Sequence, residues 1–241
     1  MISDVLIRTC PQRRQYRSQL EAELHKAGLL TKARWEEQPG LAHDPDWWLR
    51  MLTKYSAGDS TDWLLILEDD VAGINRHLEH NLAQWAAPRQ SDFGLGWLTV
   101  SHGIAADALK LFYKEAEGQR LIIRAAESCF NSGAVLIQRG FLYGIIRFTE
   151  NNPWMFMDPR RGGLWRGPVA ITYDIGLSFA CTLLGKRVYL HAAPTLVKTS
   201  TSIPSLLEMG KSRPFGELDY AAYDEEYRSE IARGELVCPG A

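Results

Sequence analysis

The run Trp63 to Leu67 is continuously apolar and ends directly in three acids, Glu68, Asp69 and Asp70. A strand buried on both faces of a parallel sheet reads this way. Acids placed immediately after such a strand stand at its C-terminal end, and in open α/β sheets that edge is where ligands bind. Adjacent carboxylates repel one another, so a fold that gathers them there gains from a cation that offsets the repulsion. Hard oxygen donors of this kind suit Mg2+ or Mn2+, and either ion can also bridge a diphosphate. The same acids would equally suit the first turn of a following helix, where negative charge is stabilising. The residues by themselves leave both readings open.

The elements that must position these acids alternate in type. Val5 to Arg8 is a short apolar strand that hands over at Thr9-Cys10-Pro11, and Leu20, Leu24 and Leu29 then recur at helical spacing until Gly28 interrupts. A polar stretch, Glu36 to Pro45, precedes a helix through Trp47, Trp48, Leu49 and Leu52, and Gly58 to Asp62 form a turn before the central strand. Ile74, Leu78, Leu82 and Trp85 carry a helical period that Pro88 ends. Gly94–Val100, Leu121–Arg124 and Ala134–Gln138 are expected strands, Phe141–Phe148 and Tyr173–Leu184 expected helices, and Val188–Leu190 and Thr195–Lys198 late strands. The alternation predicts an α/β class with a mainly parallel central sheet flanked by helices. Residues 1–202 form the expected catalytic unit, and 203–241, with Pro204, Pro214 and a charged stretch Leu218–Arg233, a tail or lid packed on the same domain.

Composition narrows the function classes. Hydrophobic residues make up 46% and charged residues 23% of 241, which is the globular norm. A formal charge of -2 removes the strong electrostatic argument for a nucleic-acid partner, which needs a concentrated positive field, and leaves room for a local basic site. Cys10, Cys129, Cys181 and Cys238 are scattered without a CxxC pair, which points to free thiols in a reducing compartment. No apolar run reaches the roughly 18 residues of a membrane span, and MISDVLIRTCPQRR lacks the pattern of a leader, so a cytoplasmic protein without a transmembrane segment is expected.

The string DWLLILEDDV resembles the acidic motif of glycosyltransferases with the GT-A fold, especially the lipopolysaccharide-type enzymes related to the family twenty-five group. The resemblance implies a single GT-A-like, Rossmann-like domain whose acids hold a divalent metal, Mn2+ or Mg2+, on a nucleoside diphosphate-sugar. By position, Glu68 and Asp70 would be the metal ligands, with Asp70 first, and Asp69 would support the sugar or ribose. VLIRTCPQRRQYRSQLEAEL is similar to the opening βα unit of that fold, which makes Thr9 a base or ribose contact and Arg13 and Arg14 diphosphate contacts. Guanidinium groups suit that role because they offer paired donors to phosphate oxygens.

FNSGAVLIQRGFLYGI resembles the turn that passes the sugar, where Asn131, Ser132 and Gly133 would let the backbone approach closely. TYDIGLSFACTLLGKRVYL is similar to the acceptor segment, and Asp174 would be the base that takes the acceptor's proton in an inverting enzyme. HAAPTLVKTSTS resembles the late strand that supplies a histidine to the metal or diphosphate, yet here Lys198 stands in that place, a cation for phosphate. The loop ENNPWMFMDPRRGGLWRG adds Trp154 and Trp165 as acceptor contacts. The resemblance therefore implies sugar transfer to a hydroxyl of a glycan or related acceptor. Two alternatives remain beside it: a nucleotidyltransferase, although TCPQRR lacks the glycine of a phosphate loop, and a catalytically silent sugar-nucleotide-binding protein.

Overall fold

Alternate residues of the first and third strands feed two separate cores, and that division decides where the acids point. A computed structural model describes residues 2–39, 45–99, 113–117, 120–125, 133–151, 177, 180–181, 183–193, 195–200, 203 and 225. In chain order the described strands and α-helices are β1 (Ile2–Thr9), α1 (Arg17–Lys26), β2 (Ala33–Glu37), α2 (Pro45–Ser56), β3 (Trp63–Glu68), β4 (Val71–Ile74), α3 (Leu78–Ala86), β5 (Phe93–Trp97), β6 (Tyr113–Glu117), β7 (Arg120–Ala125), β8 (Ala134–Gln138), α4 (Arg139–Asn151), β9 (Arg187–Ala193) and β10 (Val197–Thr199). Leu177, Ala180, Cys181 and Leu183 are also helical.

The main sheet runs in the order β2-β1-β3-β8-β5-β9-β7-β6. β1 is parallel to both β2 and β3, β5 is parallel to β9, and β8 and β7 run against their neighbours. The sheet is therefore mainly parallel, with reversed strands only at β8 and β7. β4 and β10 form a separate antiparallel ribbon.

On one face Leu6, Leu64, Ile66, Val135 and Ile137 meet Trp48, Met51 and Leu52 of α2 and Leu142, Ile145 and Ile146 of α4. On the other, Val5, Ile7, Leu65, Leu67 and Leu136 meet Leu20 and Leu24 of α1 and Leu78, Leu82 and Trp85 of α3. Each such buried side chain contributes about 1.5–3 kcal/mol relative to an exposed one. The period of two along β1 and β3 and the period near 3.6 along the helices thus close on the same two layers. Gly28, with φ of 71°, ends α1 in the left-handed conformation that a glycine adopts without strain.

Several elements depart from the expectation. β2 lies where the sequence suggested that a polar stretch began at Glu36; ARWEE has little apolar content because the strand sits at the sheet edge. Ile74 belongs to β4 and not to the following helix, which starts at Leu78 behind His77. β6 was not anticipated either. The Cys10 and Cys181 thiols are free and buried. Among the described residues no helix is long and apolar enough to cross a membrane. Of the expected tail, 203–241, only Ile203 and Glu225 are described.

Candidate functional site

β1 connects through α1 to β2 on one side, and β2 then connects through α2 to β3 on the other side of β1. The chain therefore reverses its winding between β1 and β3, with α1 on one face and α2 on the other. A crevice at the C-terminal ends of two strands that diverge in this way is where open α/β sheets bind ligands. Thr9 ends β1 and Glu68 ends β3 at this crevice, and β2 contributes Glu37, paired in register with Thr9.

Strand alternation separates the acids. Arg8 and Glu68 are register partners that continue the Leu6 and Ile66 face, and Arg8 Nη2 donates to Glu68 Oε1 at 2.5 Å. Thr9 and Asp69 continue the Ile7 and Leu67 face, where Thr9 Oγ1 donates to Asp69 Oδ2 at 2.6 Å. Arg13 Nη1 donates to the other oxygen, Oδ1, at 2.5 Å. The backbone reinforces the join: Asp69 N donates to Arg8 O at 3.2 Å, and Glu68 N donates to Gly133 O at 3.0 Å.

The two arginines after β1 diverge because they ride a 3-10 helix, Pro11–Tyr16. Pro11 sets its first turn, and Arg13 N closes on Cys10 O at 3.0 Å. Three residues per turn bring Arg13 back over the strand end, where it is 6% exposed, and rotate Arg14 outward. Burial pulls the Arg13 guanidinium down, but the charge and hydrogen bond of Asp69, followed by the charges of Asp70 and Glu68, outweigh it and the net shift is upward. Arg14 makes a two-point contact with Glu37, Nε to Oε2 and Nη2 to Oε1, both 2.7 Å. The hydrogen bond from Arg14 holds the Glu37 carboxyl below its ordinary value.

Asp70 leads into the ribbon instead of a helix. Its side chain is buried, 2% exposed, and its carbonyl accepts from Ser200 N at 2.7 Å. Because β4 follows at Val71, the acids do not occupy the first turn of α3, and the capping role does not apply. β10 lies against β4 with Lys198 opposite Gly73. A Cβ placed on Gly73 would sit 3.5 Å from Lys198 Cδ, so the lysine stem runs along this glycine with an exposed side chain. Gly133 has no such room: a Cβ there would stand 2.7 Å from Thr199 Cγ2 and 3.1 Å from Thr99 Oγ1. The segments carrying Thr99, Gly133 and Thr199 therefore pack this closely only because residue 133 lacks a side chain.

No protein-family model matches the sequence, and no curated protein matches it. Solved structures similar to the chain include a UDP-glucose pyrophosphorylase complexed with UDP-glucose, at 8% identity and a TM-score of 0.47, covering 97% of this chain and 100% of that one. They also include the galactosyltransferase LgtC in complex with donor and acceptor sugar analogs, at 13% identity, a TM-score of 0.38 and coverage of 97% and 100%. A glycosyltransferase involved in glycosylation of the major capsid of PBCV-1 shares 14% identity with a TM-score of 0.32 and coverage of 93% and 98%. These TM-scores lie below 0.5, so the fold assignment rests on the strand order, the switch between β1 and β3, and the ribbon after the acids. The fold is a Rossmann-like mixed α/β sheet with helices on both faces.

This sheet brings together Thr9, Arg13, Glu68, Asp69 and Asp70 and sets Gly133 beside them. Arg14 is close in sequence but sits on Glu37 at the surface. Asn131, Ser132, Asp174, Trp154 and Trp165 lie outside the described residues. Among the described residues no three His, Cys, Asp or Glu side chains cluster to hold a metal by themselves. The donor set nevertheless fits an ion that arrives with a diphosphate, since Mg2+ is commonly held by one or two carboxylates plus phosphate oxygens. Asp70 suits that role; Glu68 would join it by giving up Arg8. The sequence reading passed over Arg8 and Glu37. The signal for Arg8 was its place at the end of an apolar strand, directly before Thr9.

Proposed function

We propose that the chain is a glycosyltransferase that moves a sugar from a nucleoside diphosphate-sugar to a hydroxyl of a glycan or related acceptor, in the cytoplasm. The observation that carries this reading is the meeting of Thr9, Asp69 and Asp70 at the switch point of a GT-A-like sheet. Thr9 and Asp69 offer oxygen acceptors to the hydroxyls of a ribose or sugar. Asp70 would hold Mn2+ or Mg2+ on the diphosphate, and the ion, when bound, neutralises charge on the leaving group. Lys198, on the ribbon that is bonded to Asp70 through Ser200, would add positive charge to the same phosphates. Asn131, Ser132 and Gly133 would pass the backbone close to the sugar. Asp174 would accept the acceptor's proton if the anomeric centre inverts.

The test is a panel of uridine and guanosine diphosphate-sugars, scored for release of the nucleoside diphosphate with and without Mn2+. Donor turnover is expected, and Asp174→Asn should lower it by about 10²–10⁴-fold while leaving donor binding intact. A parallel arm supplies nucleoside triphosphates with sugar 1-phosphates and scores pyrophosphate. Turnover in that arm alone would make the chain a nucleotidyltransferase, and binding without turnover in either would make it a silent binding protein.

A further inference from the structure

Both oxygens of the Asp69 carboxylate are held from within the protein, Oδ1 by Arg13 and Oδ2 by Thr9, at 2.5 and 2.6 Å. The Arg13 and Asp69 side chains are 7% and 4% exposed, so neither swings toward solvent without stranding the other in the interior. An ionised carboxylate has roughly four lone-pair sites. Arg13 and Thr9 occupy two of them, one on each oxygen, which fixes the rotation of the group and leaves acceptor capacity on both atoms. A pair of fixed acceptors suits a vicinal diol, the chemistry of a ribose or a sugar ring, better than it suits a phosphate, which it would repel.

We propose that Arg13 is a positioning residue, which together with Thr9 presents Asp69 as the acceptor for ligand hydroxyls, and that it is not a diphosphate contact. This rests on the donor-binding reading above and assigns the role of one residue within it. The 3-10 turn explains why Arg13 has this place: it is the residue that the turn returns over the strand end, while its neighbour goes to the surface. The charge of Arg13 also spreads to Asp70 and Glu68, so it keeps the triplet from expelling its own ligand while leaving the phosphates to other cations.

The experiment is calorimetric titration of the full chain with UDP, UMP and uridine, and with the guanosine series, using the wild type, Arg13→Ala, Arg13→Lys, Asp69→Asn and Arg13→Ala/Asp69→Asn. Arg13→Ala should weaken binding by about tenfold, or 1.4 kcal/mol, and by the same factor for diphosphate, monophosphate and nucleoside. The double variant should be no weaker than Asp69→Asn alone, since two residues acting as one unit are not additive. Arg13→Lys should recover part of the loss, because an ammonium can still meet Asp69. If Arg13→Ala does not fold, Thr9→Val, which removes one of the two holding bonds, should show the same phosphate-independent and non-additive loss. A loss confined to the diphosphate, additivity with Asp69→Asn, or no loss would overturn the assignment while leaving donor binding in place. A wild type that binds none of these nucleotides would overturn the donor-binding reading as well.

Discussion

Glu68 and Asp69 are neighbours in sequence at the end of β3 and continue opposite faces of the sheet, so each meets a different arginine. The mutual repulsion of the acidic motif is thereby reduced by Arg8 and Arg13 from within the fold. The acids themselves were legible in the sequence because a continuous apolar run precedes them. Their partners were not, because register between distant strands sets the pairing of Arg8 with Glu68, sixty residues apart. Gly133 shows the other side of residue-scale fit. Gly133→Ala should cost about 1–3 kcal/mol by overpacking, because the β-branched Thr199 has little rotamer freedom with which to yield. Chemical denaturation should report that loss, and Thr199→Ser, which removes the obstructing methyl, should restore most of it in the double variant. Cys181 offers a separate check. Burial pushes its thiol up from 9.0 to about 12, against a smaller opposing pull from a Leu95 backbone hydrogen bond and Lys186. The folded state thus holds this proton more tightly than the unfolded one. The contribution is fully present below pH 9 and is lost as pH rises toward 12, and the native thiol should resist alkylation at pH 8 far longer than the unfolded one.

Among the elements, the long apolar strands and the periodic helices could be read directly, whereas β2 and β4 could not. β2 is an edge strand that needs little apolar sequence, and β4 is held by a partner, β10, more than a hundred residues away. Beyond the apolar core, one side chain ties α2 and α4 to the base of β1. Arg139, at the start of α4, donates to the carbonyls of Tyr55 and Ala57 at the end of α2, and to Ser3 Oγ and Asp4 Oδ2 in β1 at 2.6 and 2.7 Å. Gly58, with φ of 133°, gives it room, since a Cβ there would lie 2.9 Å from Arg139 Cδ. Arg139→Ala should cost about 3 kcal/mol by leaving buried acceptors unmet. In a chain of this size that lowers Tm by about 6–12 °C in a calorimetric scan. Arg139→Lys should recover only part, because a single ammonium cannot reproduce the fork.

At the scale of the whole molecule, the order of winding turns a string of acids into a candidate site. β1 and β3 are neighbours in the sheet, but the helices that follow β1 and β2 cover opposite faces, and the crevice opens where Thr9 and Asp69 meet. The most direct measurement is thermal unfolding of the full chain with UDP or GDP, with and without Mn2+, for the wild type and Asp70→Ala. A ligand at 100 times its Kd stabilises the fold by about 2.7 kcal/mol, or about 5–10 °C here. The account predicts a shift of this order with one of the two diphosphates, enlarged by Mn2+ in the wild type and not in Asp70→Ala. No shift with either nucleotide, or the same Mn2+ enhancement in the variant, would contradict it.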